Sequence, residues 1–338
     1  GIGVLLNLLR GEDTDTHRDA LETLVNLLDR DVPKEQPEAA QVAATHNCGV
    51  LLSHPEKIGV ILGAAENSDM YVRYHATQLL MRLLSVAAAR TQEAMLEQPA
   101  TVAAVVKLLE DKREIVRNEV LLLLAQLSAH NASLQTILAF QGAFDQLIKI
   151  IEGELQSGES GAAAVVNDCF AIVSSLLSSS AAARRLFREE GFLPRVLPML
   201  RLPPAHSREH ARTARLACAL LALLVKGMDA DAAEAQEAAA GSGVVADVVA
   251  LLTDPATATD PALRVQALAT LAALVRGRQS ACAELAAARA TRKGGIDEPV
   301  LPRLLLVALR SAAAPLHHST ASLLVGYCHL NPSAQLAL

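Results

Sequence analysis

Few residues in this chain have types and spacings suited to chemistry. His206 and His210 stand four apart, which on a helix would bring both imidazoles to one face, as two zinc ligands need. They lack a third ligand beside them, and Pro203–Pro204 marks the segment as the start of a helix. His317 and His318 are adjacent and point in different directions on a helix. Cys169 follows Asp168, but the sequence places no His to activate the thiol as a nucleophile. Gly294–Gly295 and Gly241–Gly243 lack the strand-to-helix context of a phosphate-binding loop. We therefore expect no catalytic residues, no metal and no cofactor: the chain is read as a binding protein, not an enzyme.

The elements that carry these residues are helical. The hydrophobic fraction is 51% with 2% aromatics and no Trp. Ala and Leu supply it, and both favour helices. β-branched and aromatic runs that favour strands are scarce. No uninterrupted apolar stretch is long enough to span a bilayer. The net charge of −6 argues against a general nucleic-acid binder. Cys48, Cys169, Cys218, Cys282 and Cys328 are widely spaced and odd in number, as expected of reduced core thiols in a cytosolic protein.

One pattern recurs seven times: a compact residue followed by apolar residues at +4 and +7, one face of a helix. The anchors are Ala20, Ala76, Val120, Cys169, Ala217, Ala267 and Ala321, from 44 (Ala76 to Val120) to 56 (Ala20 to Ala76) residues apart. Between anchors comes a short helix, then a Gly-led turn and a second helix. The turns are at Gly3, Gly142, Gly191, Gly243 and Gly295. Polar, Pro- or Gly-bearing insertions at 30–41, 153–161, 201–208, 227–243 and 253–261 lengthen the units.

Three helices per unit, the last the longest, resemble armadillo repeats, with two-helix HEAT repeats the alternative. The expected fold is an all-α, armadillo-type solenoid (superhelix) of about seven three-helix repeats. It forms a single domain over residues 1–338, with anchor helices near 14–28, 69–85, 113–128, 162–178, 207–226, 261–276 and 315–330. Both ends interrupt a repeat, so the natural protein is expected to continue beyond at least one of them.

The +6 column, expected to face the concave groove, reads Asn26, Arg82, Gln126, Ser175, Leu223, Ala273 and Tyr327. Import receptors of this superfamily carry an Asn ladder there with Trp nearby, so that function is disfavoured, as is a catenin-like groove for extended peptides. The segment 184–215 holds eight arginines against three glutamates and offers a basic face to an acidic partner or an anionic membrane, or a solvated outer face. Residues 11–38 lean acidic and read as a solvated helix plus a loop.

The middle of the chain carries a closer resemblance. Residues 113–127 read REIVRNEVLLLLAQL, 134–154 read LQTILAFQGAFDQLIKIIEGE, 165–177 read VVNDCFAIVSSLL and 185–191 read RLFREEG. Order and spacing together resemble the globular head of the general vesicular transport factor family, the long coiled-coil tethers of endoplasmic reticulum-to-Golgi traffic. Gln141–Gly142, Asn167 and Ser175 depart from that pattern.

The resemblance implies a cytosolic, homodimeric tether, peripheral on Golgi and vesicle membranes. Its implied partners are Rab-family GTPases, golgins, SNAREs and Golgi assembly proteins, and it implies a coiled-coil tail of which this chain shows no heptads. The alternative is a generic armadillo adaptor of another pathway. On the residues themselves, Arg113, Arg117, Asn118 and Glu119 open one third helix, and Asn167 and Asp168 sit on its neighbour. These six are the candidate partner-binding residues; alternatively, Arg117 and Asp168 bridge adjacent repeats.

Overall fold

The computed structural model describes residues 1–29, 37–158, 161–202, 207–227, 230–255, 257, 260–291 and 297–337. Two compact units divide the chain, Gly1–Ala183 and Arg184–Leu338.

The first unit opens with α1 (Ile2–Leu8) and α2 (Thr14–Asn26). The next repeat has α3 (Pro37–Leu51), α4 (Glu56–Ala65) and α5 (Met70–Leu96). The last of these bends at Ala87, where φ −147° and ψ 67° break the helix. The bend separates the third helix of one repeat from the first helix of the next. Then follow α6 (Pro99–Lys107) and α7 (Glu114–Leu127), and after them α8 (Ala132–Phe140), α9 (Ala143–Ser157) and α10 (Ala162–Ser179). Third helices pack side by side in order, α2 on α5, α5 on α7 and α7 on α10.

The unit boundary falls within α11 (Ala181–Glu189). Beyond it the second unit contains α12 (Phe192–Val196) and α13 (Arg208–Leu224). Next come α14 (Ala230–Gly241), α15 (Val244–Thr253) and α16 (Pro261–Val275). It closes with α17 (Gln279–Ala287), α18 (Val300–Arg310), α19 (Ala314–Cys328) and α20 (Pro332–Ala337). Here α13 packs on α16 and α16 on α19. Each unit is thus a stack of helical repeats of the armadillo type, and the fold class is all-α solenoid.

The anchor pattern explains the core. In five repeats all three positions are buried, as with Val120, Leu124 and Leu127, each 0% exposed. Burying one such side chain stabilises by about 1.5–3 kcal/mol. Helix ends are capped locally. Asp69 and Asp260 accept N–H bonds from the first turns of α5 and α16. Gly142, Gly191 and Gly243 take positive φ of 85°, 76° and 77° at the turns into second helices, a region where a Cβ is strained.

The structure corrects several details. Leu27 is 38% exposed because α2 ends at Asn26, and Leu28 is buried in its place. In the last repeat the apolar face slips by one residue. Leu316, Thr320, Leu323 and Tyr327 are buried, while Val325 is 62% exposed. Tyr327 therefore belongs to the core and not to a groove column. Gly3 lies inside α1, whose N-cap is Gly1. The segment 227–243 is no insertion, since α14 fills most of it; its run of Ala, Glu and Gln forms a helix that buries Ala232, Ala235, Gln236 and Ala239 on one face. Gly295, Pro203, Pro204 and His206 lie outside the described residues. The last second helix begins at Val300, after a short antiparallel hairpin, β1 (Arg289–Thr291) with β2 (Asp297–Pro299), pairing Ala290 with Glu298.

Candidate functional site

The third helices of the first unit share an outward stripe. Counted from each anchor, positions −5, −2, +2 and +6 lie about one turn apart and point away from the core. On α7 they are Ile115, Asn118, Leu122 and Gln126, all exposed. On α5 they are Tyr71, Tyr74, Gln78 and Arg82, and on α10 Ala164, Asn167, Ala171 and Ser175. Three large apolar side chains stand out on this face: Tyr71 at 53%, Ile115 at 52% and Leu122 at 47% exposure. Sequence reasoning missed them because the repeat pattern marks which residues are buried, not which apolar ones are left outside.

The six candidate residues fall on different sides of this stripe. Asn118 and Asn167 occupy equivalent positions on it. Arg113 is the exposed N-cap of α7, and its N–H donates to Asp111 Oδ1 at 2.9 Å. Glu119 and Asp168 are half-buried on one flank, each just before its anchor. Burial pushes the Glu119 carboxyl above the usual range, opposed by the charge of Arg82. Arg117 lies on the other flank. Its Nη1 donates to the Asp111 carbonyl at 3.1 Å, and Glu114 lies 3.9 Å away. The bridge from Arg117 to Asp168 is therefore not formed. With Glu114, Gln146, Lys149 and Glu154, Arg117 instead lines an open groove of about 360 Å³.

Three of the eight arginines of the basic segment are paired internally. Arg185, Arg188 and Arg201 pair with Asp231, Glu234 and Asp247 at 2.6, 2.8 and 3.1 Å. Hydrogen bonds to these aspartates raise the pKa of Arg185 and Arg201. Each partner lies 46 residues on, so these three pairs join consecutive repeats.

Other candidates have structural employment. His210 Nδ1 accepts the Ser207 N–H at 3.2 Å in a capping box. His317 Nε2 contacts the Ala308 carbonyl at 2.8 Å. No disulfide joins the five cysteines; Cys48, Cys169, Cys218 and Cys282 are buried and Cys328 half-buried. Burial pushes the Cys218 thiol up to about 12 and the Cys169 thiol up as well, the reverse of an activated nucleophile. Among the described residues no cluster of His, Cys, Asp or Glu is arranged to hold a metal, and no single helix is long and apolar enough to cross a membrane.

No family model matches the chain. General vesicular transport factor p115 of Bos taurus is 30% identical over 201 residues, 57% of this chain and 20% of that protein. Golgin candidate 6 of Arabidopsis thaliana is 37% identical over 172 residues, 50% of this chain and 18% of that protein. The chain thus spans about one-fifth of the length of the curated relatives it matches. A crystal structure of Uso1 superposes with TM-score 0.84 at 23% identity, covering 99% of this chain and 56% of that one. A designed armadillo repeat protein superposes with TM-score 0.54 at 18% identity, over 81% of this chain and 100% of the other. In sequence over about half its length, and in fold over nearly all of it, the chain is similar to the general vesicular transport factor and Uso1 proteins.

Proposed function

We propose that the chain is the head of a vesicle-tethering factor, a non-catalytic scaffold in endoplasmic reticulum-to-Golgi and intra-Golgi transport. The observation that carries this reading is the 30% identity over 201 residues to a general vesicular transport factor. Its partners are Rab-family GTPases, and through the whole protein golgins, SNAREs and Golgi assembly proteins. The protein acts as a homodimer, cytoplasmic and peripheral on Golgi and vesicle membranes. The exposed stripe supports a docking role: apolar Tyr71, Ile115 and Leu122 share it with exposed Asn118 and Gln126 and half-buried Asn167. Apolar anchors inside a polar rim are what a transient protein interface uses. Arg113, Glu119 and Asp168 would set orientation, and Arg117 acts mainly by fixing the start of α7.

The test is binding of the chain to early-secretory Rab GTPases loaded with a GTP analogue or with GDP. The expected result is preference for the GTP form, weakened about tenfold or more by Leu122→Asp or Asn118→Arg. Equal binding of both forms, or none by a folded chain, removes the GTPase claim and favours an armadillo adaptor of another pathway.

A further inference from the structure

Two successive junctions of the first unit, α2 to α5 and α5 to α7, use the same device. The fourth residue after the N-cap of a third helix reaches to the residue two before the N-cap of the next. His17 Nδ1 meets Asn67 Nδ2 at 3.3 Å, and Arg73 Nη2 donates to Asp111 Oδ1 at 3.0 Å. The receiving residue also caps its own helix: Asn67 Oδ1 accepts the Asp69 N–H, and Asp111 Oδ1 the Arg113 N–H.

In the second unit the same register reads differently. The N-cap of α16 is Asp260, so the fourth residue after it is Arg264. The N-cap of α19 is Ala313, and Ser311 two before it caps the Ala313 N–H at 3.1 Å. A short hydroxyl thus stands where Asp111 presents a carboxylate. Arg264 is half-buried, and its Nε is buried without a hydrogen-bond partner among the described residues. Arg303 on α18 is half-buried too, with Nη1 in the same condition. Burial, and then the charge of Arg303, both disfavour the cationic form of Arg264. Two like charges, close enough to act on each other and holding orphaned N–H groups, cost free energy unless an anion joins them.

We propose that Arg264 and Arg303 form a receiving site for a carboxylate carried by an acidic segment of a partner protein. The carboxylate is favoured over a phosphate because the same register in the first unit holds one, Asp111 against Arg73. Guanidinium groups bind carboxylates through paired, charge-assisted hydrogen bonds. Both arginines belong to the second unit, and the site does not depend on any GTPase binding at the stripe on α5, α7 and α10.

The test titrates the 338-residue chain with a hexa-aspartate peptide and separately with inorganic phosphate, following the arginine Nε–H signals by NMR and affinity by calorimetry. The peptide is expected to shift the Arg264 and Arg303 signals. Arg264→Gln and Arg303→Gln should each weaken it about tenfold or more. Ser311→Asp, which leaves both arginines in place, supplies an internal carboxylate and should abolish peptide binding while raising the Tm. Peptide affinity unchanged by Ser311→Asp, or no shift at either arginine, overturns the proposal. Binding of phosphate without the peptide overturns it as well.

Discussion

The guanidinium of Arg73, on the third helix of one repeat, closes a two-point pair with the carboxylate of Asp111, just ahead of the third helix of the next. Their side chains are 16% and 4% exposed. Arg73 also donates to the carbonyls of Asn67 and Ser68, and Arg117 to that of Asp111. One aspartate therefore serves both neighbours: its carboxylate binds the helix behind, and its carbonyl binds the helix it precedes.

Replacing Asp111 with Asn should destabilise the first unit by about 2–3 kcal/mol, because Arg73 would keep a half-buried charge without its partner. Urea unfolding checks the size, and a double-mutant cycle with Arg73→Gln checks the coupling. Burial alone would raise the Asp111 pKa, but the Arg73 and Arg113 hydrogen bonds and the Arg73 and Arg117 charges outweigh it and lower it. Its contribution is therefore complete above the unfolded carboxyl pKa of about 3.9 and is lost as pH falls through the lower folded value. The difference between wild type and Asp111→Asn should be constant from pH 7 to 5 and shrink below about 4.

Glu119 has the opposite sign. Burial raises its folded pKa, so its ionised form weakens the fold once pH rises past that value. Glu119→Gln should raise the Tm at pH 7, and the gain should disappear at pH below about 4. An equal gain at both pH values would sink the assignment.

Glycines at three positions should respond differently to alanine. Gly142 has open space but φ +85°, so Gly142→Ala should cost about 1 kcal/mol. Gly153 lies within α9 with nothing within 4 Å of an added Cβ, so Gly153→Ala should gain about 0.5–1 kcal/mol. At Gly326 an added Cβ would stand 2.7 Å from the Ala272 carbonyl oxygen, where α19 packs on α16. Gly326→Ala should cost about 1–3 kcal/mol. Equilibrium unfolding of the three variants orders them.

Thiol labelling under native conditions should modify Cys328 first, since the other four cysteines are buried. Cys218 and Cys169 should react only on unfolding, because burial raises both thiols. Fast native labelling of Cys218 would contradict the packing of α13.

Much of this protein is local. Helix positions follow from apolar residues at +4 and +7, which one strand of sequence contains in full. That is why the anchors from Ala76 to Ala267 read correctly. The pattern misleads where a local choice is nearly degenerate: Ala321 and Thr320 are both compact, and packing of α19 on α16 buries Thr320, with Gly326 against Ala272. Asn118 and Asn167 were legible as equivalent positions because equivalence is a matter of counting. The pairs Arg73–Asp111, Arg185–Asp231 and Arg201–Asp247 were not, nor was the separation of Arg117 from Asp168. Each depends on how far one repeat is turned against the next, and no residue within a single repeat encodes that. The sequence by itself determined the third helices, their order and, from Ala76 to Ala267, their buried faces. Tertiary structure decided which charges meet and which N–H groups, as at Arg264 Nε and Arg303 Nη1, have no partner among the described residues, because partners 38 to 46 residues apart meet only once the repeats have stacked.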